Sequence, residues 1–133
     1  MGADEVVLSD TIGVGHPGQV REVLAALRNH LPWDRVAVHF HDTRGMALAN
    51  VLVSLDADVR VFDASAGGLG GCPFAPGASG NLATEDLVYM LDGLGVRTGV
   101  SLDGVAAASV LIAPHIDHAL PSRVLQALSM PGV

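Results

Sequence analysis

Apolar and polar positions along the chain form blocks that predict a strand, a loop and a helix, repeated three times. The predicted strands are short apolar runs at residues 5–8, 36–41 and 59–64. The predicted helices show Val and Leu at helical spacing over residues 20–31, 48–55 and 87–94. Strands that alternate with helices indicate parallel pairing through right-handed crossovers. The pattern therefore predicts an α/β fold of three consecutive βα units.

Signals at the helix ends refine this assignment. Thr84 is a predicted N-cap, with Glu85 and Asp86 in the first turn, where the helix dipole favours acidic side chains. Ser101 is the predicted N-cap of a further helix that runs to Ala113, and a short helix is expected after residue 121. The three βα units are thus followed by C-terminal helices.

Composition narrows the class of protein. With 133 residues, 50% of them apolar and 16% charged, the chain is long and apolar enough for one folded domain, which we place at residues 1–133. The single cysteine excludes a disulfide scaffold. The formal net charge of −7, with scattered arginines, argues against a nucleic-acid partner. The most apolar stretch, residues 105–113, is too short to span a membrane. The acidic start lacks a signal-peptide pattern, so we expect a cytoplasmic protein.

Two histidines stand at the end of the second predicted strand. His39 and His41 are two residues apart, so both side chains point to one face, while Val38 and Phe40 point to the other. Two imidazoles on a buried face need a partner, and a divalent metal is a suitable one. The alternative is that both histidines lie at the solvated end of a short strand. Functional sites of α/β proteins form at this carboxyl end.

Two more candidates lie in and after a glycine-rich loop of some twenty residues. Cys72 follows the run GGLGG, and long loops in compact domains are commonly functional, so we consider it a nucleophile or proton donor. The alternative is an unreactive small apolar residue. Asn81 offers an amide oxygen to a hard metal, although spacing alone favours a turn residue at the entry to the next helix.

The end of the first strand offers a carboxylate and a glycine motif. Asp10 is a candidate base or orienting group, with an Asx turn that opens the following loop as the alternative. Gly13, Gly15 and Gly18 match the GxGxxG pattern of dinucleotide-binding proteins. We discount that match, because Pro17 removes an N–H group and the next strand ends in His-x-His rather than in a ribose-binding acid.

Four segments together resemble the 3-hydroxy-3-methylglutaryl-CoA lyase family. They read SDTIGVG at residues 9–15, HFHDTRGMALAN at residues 39–50, GGLGGCPFAPGA at residues 67–78 and GNLATEDLV at residues 80–88. The cysteine loop is the most specific of the four, because the related isopropylmalate and homocitrate synthases share His-x-His but generally lack this loop. The resemblance covers residues 6–102.

The resemblance implies a partial TIM (β/α)8 barrel and a metal-dependent carbon–carbon lyase. By this likeness, His39, His41 and Asn81 hold Mg²⁺ or Mn²⁺, Cys72 is the catalytic thiol on a mobile loop, and Asp10 is an active-site carboxylate. Enzymes of this family cleave 3-hydroxy-3-methylglutaryl-CoA, an acyl-CoA substrate, to acetyl-CoA and acetoacetate. This reaction belongs to leucine degradation and ketone-body formation.

The chain departs from the family pattern at the family's first strand. The family's first strand carries an Arg-Asp pair, and this sequence contains no Arg-Asp dipeptide. The chain aligns with the last three βα units and the C-terminal helices, so we expect a homo-oligomer or association with the other barrel units. Two alternatives remain: a non-catalytic partial barrel that acts as an association module, and a small nucleotide-binding domain based on the glycine motif.

Overall fold

A computed structural model of the chain describes residues 2–71 and 80–130. The chain divides into two compact units. The described part of the first unit ends at Asp63, and that of the second comprises Ala64–Gly71 and residues 80–130. No helix within the described residues is both long and apolar enough to cross a bilayer.

The first unit contains a parallel sheet of three strands with two helices between them. Its elements in chain order are β1 (Val6–Asp10), α1 (Pro17–Leu27), β2 (Val36–Phe40), α2 (Ala47–Asp56) and β3 (Val61–Asp63). β2 lies between β1 and β3, and both pairings are parallel. The predicted βα units and their parallel pairing are therefore confirmed.

The strand bounds differ from the predicted ones for identifiable reasons. β1 continues past Leu8, because Ser9 and Asp10 pair in register with β2. β3 starts late, because the N–H of Val59 donates to the Ser54 carbonyl oxygen at 3.0 Å and so belongs to the turn that closes α2. Asp58, with φ at +73°, makes that turn.

β2 forms the core of this unit and is buried on both faces. Val36, Ala37, Val38 and Phe40 each expose 2% or less of their surface. Burial on both faces is expected of a central parallel strand that helices cover. Because β2 holds a fixed register with both neighbours, residues at the carboxyl ends of the three strands are brought level with one another.

The second unit is helical. It contains α3 (Thr84–Gly93), α4 (Leu102–Ile112) and α5 (Arg123–Leu128). Ser101 caps α4 as predicted, because its side chain accepts a hydrogen bond from the N–H of Gly104.

The prediction that Thr84 is the N-cap of α3 is wrong. Thr84 is the first residue of α3 and Ala83 is its N-cap. The N–H of Thr84 donates to the Ser65 carbonyl oxygen at 2.8 Å, and Ser65 and Ala83 form a parallel bridge. A backbone contact from a distant segment thus sets the start of the helix. Glu85 and Asp86 do lie in its first turn.

Candidate functional site

The carboxyl ends of the three strands bring four ionisable side chains to one edge of the sheet. The His39 and His41 rings lie 5.1 Å apart between centroids, so both point to the same side as predicted. Asp63, the last residue of β3, places Oδ2 3.7 Å from Nδ1 of His39. Asp10, the last residue of β1, acts on His41 electrostatically. This edge is the candidate site of the first unit.

His41 is buried in a way that suits a neutral imidazole. Only 5% of its surface is exposed, and its Nδ1 has no hydrogen-bond partner among the residues that the structure describes. Burial lowers the pKa of His41, repulsion from His39 lowers it further, and the Asp10 carboxylate acts in the opposite direction. A neutral ring with an unpartnered nitrogen retains a lone pair for a ligand.

We expect the pKa of His41 to fall below the ordinary histidine value of about 6.5. At pH values between the folded-state and the unfolded-state pKa of His41, the unfolded chain then binds more protons than the folded chain. The corresponding stability is present above the unfolded pKa of about 6.5 and is lost as the pH falls through the lower folded-state pKa. Proton NMR titration of the His41 ring measures its folded-state pKa. His39→Ala should raise this pKa and Asp10→Asn should lower it, and a wild-type midpoint at or above the ordinary value would contradict the prediction.

Asp63 is a site residue that sequence reasoning missed. The register pairs His39 with Asp63, and this contact brings the carboxylate to the ring nitrogen. Carboxylates beside metal-binding histidines commonly fix ring orientation and tautomer. A signal was available in the sequence, since Asp63 lies near the carboxyl end of the predicted strand 59–64 and Asp10 follows the predicted strand 5–8 closely.

Asp10 is held by the backbone of the glycine loop that follows it. Its Oδ1 accepts from the N–H of Val14 at 3.1 Å and its Oδ2 from the N–H of Gly15 at 2.8 Å. The Asp10 side chain therefore forms the Asx-type turn that was the alternative prediction for it. The same contacts argue against the nucleotide-binding alternative, because the chain's own carboxylate occupies the N–H groups that a phosphate would need.

Position 13 requires a glycine because of both its backbone conformation and the side chain next to it. Its φ is +62°, and a Cβ there would lie 2.6 Å from Oγ1 of Thr43. We expect Gly13→Ala to lower the free energy of unfolding by about 1–3 kcal/mol. Urea denaturation followed by circular dichroism measures the change. Gly93→Ala is the control, because a Cβ at that helical position meets nothing within 4 Å. Equal stability of the two variants would contradict the prediction.

The remaining two predicted site residues lie elsewhere in the chain. Asn81 belongs to the second unit, and its Nδ2 donates to the Leu69 carbonyl oxygen at 2.9 Å. This bond leaves its amide oxygen as the atom that a metal would take. Cys72 lies outside the described residues, so its role stays a prediction.

Glu85 anchors the start of the glycine-rich loop inside the second unit. Its side chain is fully buried, and both carboxylate oxygens accept from the N–H of Gly67, at 3.0 and 2.9 Å. The hydroxyl of Ser109 also donates to it. The sequence identified Glu85 only as a partner of the helix dipole, whereas the structure shows a buried acceptor that joins three segments.

The residues at this edge of the sheet supply some of the ligands that a divalent ion needs. Within residues 2–71 and 80–130, no group of three or more His, Cys, Asp or Glu side chains is placed to hold a metal. His39 and His41 do present two imidazoles on one face, and within the same residues the buried Nδ1 of His41 has no hydrogen-bond partner. Two imidazoles completed by oxygen ligands suit a borderline or hard divalent ion.

Comparison with known proteins identifies the family. The HMGL-like family model matches residues 1–112, which is most of the chain. The chain belongs to the HMGL-like family. The resemblance seen in the sequence is therefore confirmed.

Relatives of this HMGL-like chain carry the name hydroxymethylglutaryl-CoA lyase. One from Bacillus subtilis is 52% identical over 125 residues, which cover 94% of this chain and 42% of the relative. The Bacillus subtilis crystal structure matches with a TM-score of 0.92 and 50% identity, over 97% of this chain and 43% of that one. A structure from Acinetobacter baumannii, in complex with coenzyme A and 3-methylmalate, matches with a TM-score of 0.89 and 39% identity, over 98% of this chain and 43% of that one.

These matches define the fold class. The chain spans about two fifths of the length of the curated relatives it matches. Its parallel sheet and helices correspond to part of the TIM barrel of those lyases. The predicted partial barrel is confirmed.

Proposed function

We propose that this chain carries the metal-binding and proton-transfer residues of a lyase that cleaves 3-hydroxy-3-methylglutaryl-CoA to acetyl-CoA and acetoacetate. One observation carries the proposal: the His39 and His41 rings share one side of the strand end, and Asp10 stands at the end of the neighbouring strand. The family membership and the names of the relatives support it.

His39 and His41 are the residues of the first unit that would hold Mg²⁺ or Mn²⁺. When bound, such an ion polarises substrate oxygens and lowers the barrier to loss of the hydroxyl proton. His41 is suited to this task because burial keeps its ring neutral. Asp63 orients the His39 ring from the adjacent strand.

Asp10 is proposed to accept the proton of the substrate's tertiary hydroxyl. Its carboxylate is held by two backbone N–H groups, so its position is fixed before the substrate arrives. As the proton leaves, the hydroxyl carbon becomes the carbonyl of acetoacetate and the adjacent C–C bond breaks. The electron pair passes to the acetyl-CoA enolate, and the Cys72 thiol donates a proton to its carbon.

The acyl-CoA class of substrate rests on the relatives. The Acinetobacter baumannii structure was obtained with coenzyme A, and the family relatives are named for a CoA thioester. Within this chain, the Gly67–Gly68 turn, with both φ values positive, begins the loop that leads to Cys72. A glycine-rich segment next to the thiol allows close approach to a substrate.

The direct test is a cleavage assay on the purified chain with Mg²⁺ or Mn²⁺ and 3-hydroxy-3-methylglutaryl-CoA, in which acetoacetate is measured. We expect metal-dependent product that Cys72→Ala and Asp10→Asn reduce by at least about a hundredfold. Asp34→Asn is the matched control, because Asp34 is exposed and lies in a short 3-10 turn before β2. Absence of product from folded chain, or product unaffected by Cys72→Ala and Asp10→Asn, would overturn the proposal.

A second candidate function is an association module, which exposed apolar side chains favour. In α4, Val110 and Leu111 expose 55% and 77% of their surface. Neighbouring exposed apolar residues favour contact with another protein surface where they form a continuous patch. Sedimentation velocity and the cleavage assay together separate the two functions, since a chain that self-associates but shows no metal-dependent cleavage would favour the module.

A further inference from the structure

Two side chains from the segment after β2 hold the glycine loop that follows β1. Asn50, in α2, is fully buried, and its Nδ2 donates to the Gly15 carbonyl oxygen at 3.0 Å. Arg44 donates from Nη1 to the carbonyl oxygens of Gly13, at 2.9 Å, and Ile12, at 3.2 Å. These bonds hold the loop by the carbonyl groups of Ile12, Gly13 and Gly15.

Gly15 connects this clamp to the Asp10 carboxylate. Its N–H donates to Oδ2 of Asp10 at 2.8 Å, while its carbonyl oxygen accepts from Asn50. A Cβ at Gly15 would lie 3.0 Å from Oδ2 of Asp10 and 3.3 Å from its Cγ. A side chain at this position would therefore crowd the carboxylate that the loop holds.

The two polar atoms of the Asn50 amide differ in their surroundings, and only the Nδ2 donor explains why an amide stands at this position. Its Oδ1 is buried and has no hydrogen-bond partner in the described part of the chain, whereas its Nδ2 donates to Gly15. A buried acceptor without a partner costs free energy, and an apolar residue of similar shape would avoid that cost. The bond from its Nδ2 to the Gly15 carbonyl oxygen therefore accounts for an amide at this position.

We propose that Asn50 and Arg44 are positioning residues that set the place of the Asp10 carboxylate through the Gly13–Gly15 loop. The inference rests on the proposed role of Asp10 in the lyase reaction. It also assigns a use to the glycine motif: the motif forms a backbone cradle for a carboxylate of the same chain rather than for a bound phosphate.

The first test reads the position of Asp10 without any reaction. In the purified chain, Asn50→Leu and Arg44→Met are compared with the wild type by the ¹³C resonance of the Asp10 carboxyl and by hydrogen exchange of the Gly15 amide. We expect the carboxyl resonance to move in both, and Gly15 exchange to become about tenfold faster in Asn50→Leu, the factor that loss of one hydrogen bond brings. Arg35→Met is the control, since Arg35 is exposed and its side chain donates to the Ala3 carbonyl oxygen, away from the glycine loop in sequence.

The second test measures cleavage of 3-hydroxy-3-methylglutaryl-CoA. We expect Asn50→Leu to lower kcat by about tenfold to a hundredfold with an unchanged KM, because misplacement of a reacting group slows the chemical step rather than binding. Unchanged Asp10 and Gly15 signals in folded Asn50→Leu would overturn the inference. If that variant does not fold, unchanged signals in Arg44→Met would do so. Because NMR needs no turnover, an inactive chain would refute the proposed function while the positioning role is still tested.

Discussion

His39→Ala and His41→Ala are each expected to abolish tight Mn²⁺ binding by the chain. The two rings lie 5.1 Å apart on one side of the strand end, so each variant removes one of a pair of neighbouring ligands. Changes to residues that merely support a metal ligand cost about tenfold to a hundredfold in affinity. Loss of a ligand itself should cost more, at least about a hundredfold. Mn²⁺ titration followed by electron paramagnetic resonance measures the free ion directly.

The control for this experiment is His30→Ala. His30 is an exposed histidine of the same unit, in the turn after α1, so it tests whether any histidine of the chain binds Mn²⁺ non-specifically. Circular dichroism must show that His41→Ala folds, because His41 is buried. Wild-type Mn²⁺ affinity in both site variants would remove the metal site from the proposal.

The first unit was predictable from sequence because its strands and helices have strong and distinct patterns. β2 is almost continuously apolar, which is typical of a central parallel strand, and the Val and Leu stripes mark the helices. The period of two along a strand placed His39 and His41 on one face, and their contact confirms it. Local pattern sufficed here because each inference concerned neighbours in sequence.

Contacts between distant residues could not be predicted in this way. The start of α3 depends on Ser65, which bonds to Thr84, and no rule about capping residues contains that contact. Glu85 has partners 18 and 24 residues away, at Gly67 and Ser109. Its type and position in the first helical turn agree equally with an exposed acid near the helix dipole.

Asp63 represents an intermediate case. Its place at the end of a strand was visible, but its pairing with His39 depends on the register between β2 and β3. A shift by one residue would have turned the side chain to the other face. Sequence therefore supplied the candidate carboxylate, and only the structure supplied its partner.

Glu85→Ala is expected to lower the free energy of unfolding by about 3 kcal/mol, measured by urea denaturation. The substitution leaves the N–H of Gly67 and the hydroxyl of Ser109 without their acceptor inside the second unit. Unsatisfied buried donors are costly, and bonds to charged acceptors are among the stronger ones. Since Gly67 begins the loop that leads to Cys72, we also expect faster hydrogen exchange at the Gly67 amide.

A matched acid separates this buried role from the helix dipole. Asp103 also lies in a first helical turn, that of α4, but it is exposed, so Asp103→Ala should cost only about 0.3–1 kcal/mol. Ser109→Ala removes one partner of Glu85, and the double variant with Glu85→Ala should be less destabilised than the sum of the single changes. If Glu85→Ala lowered the free energy of unfolding no more than Asp103→Ala, the helix dipole would explain the whole contribution of Glu85 to stability. The buried hydrogen bonds of Glu85 would then contribute nothing measurable.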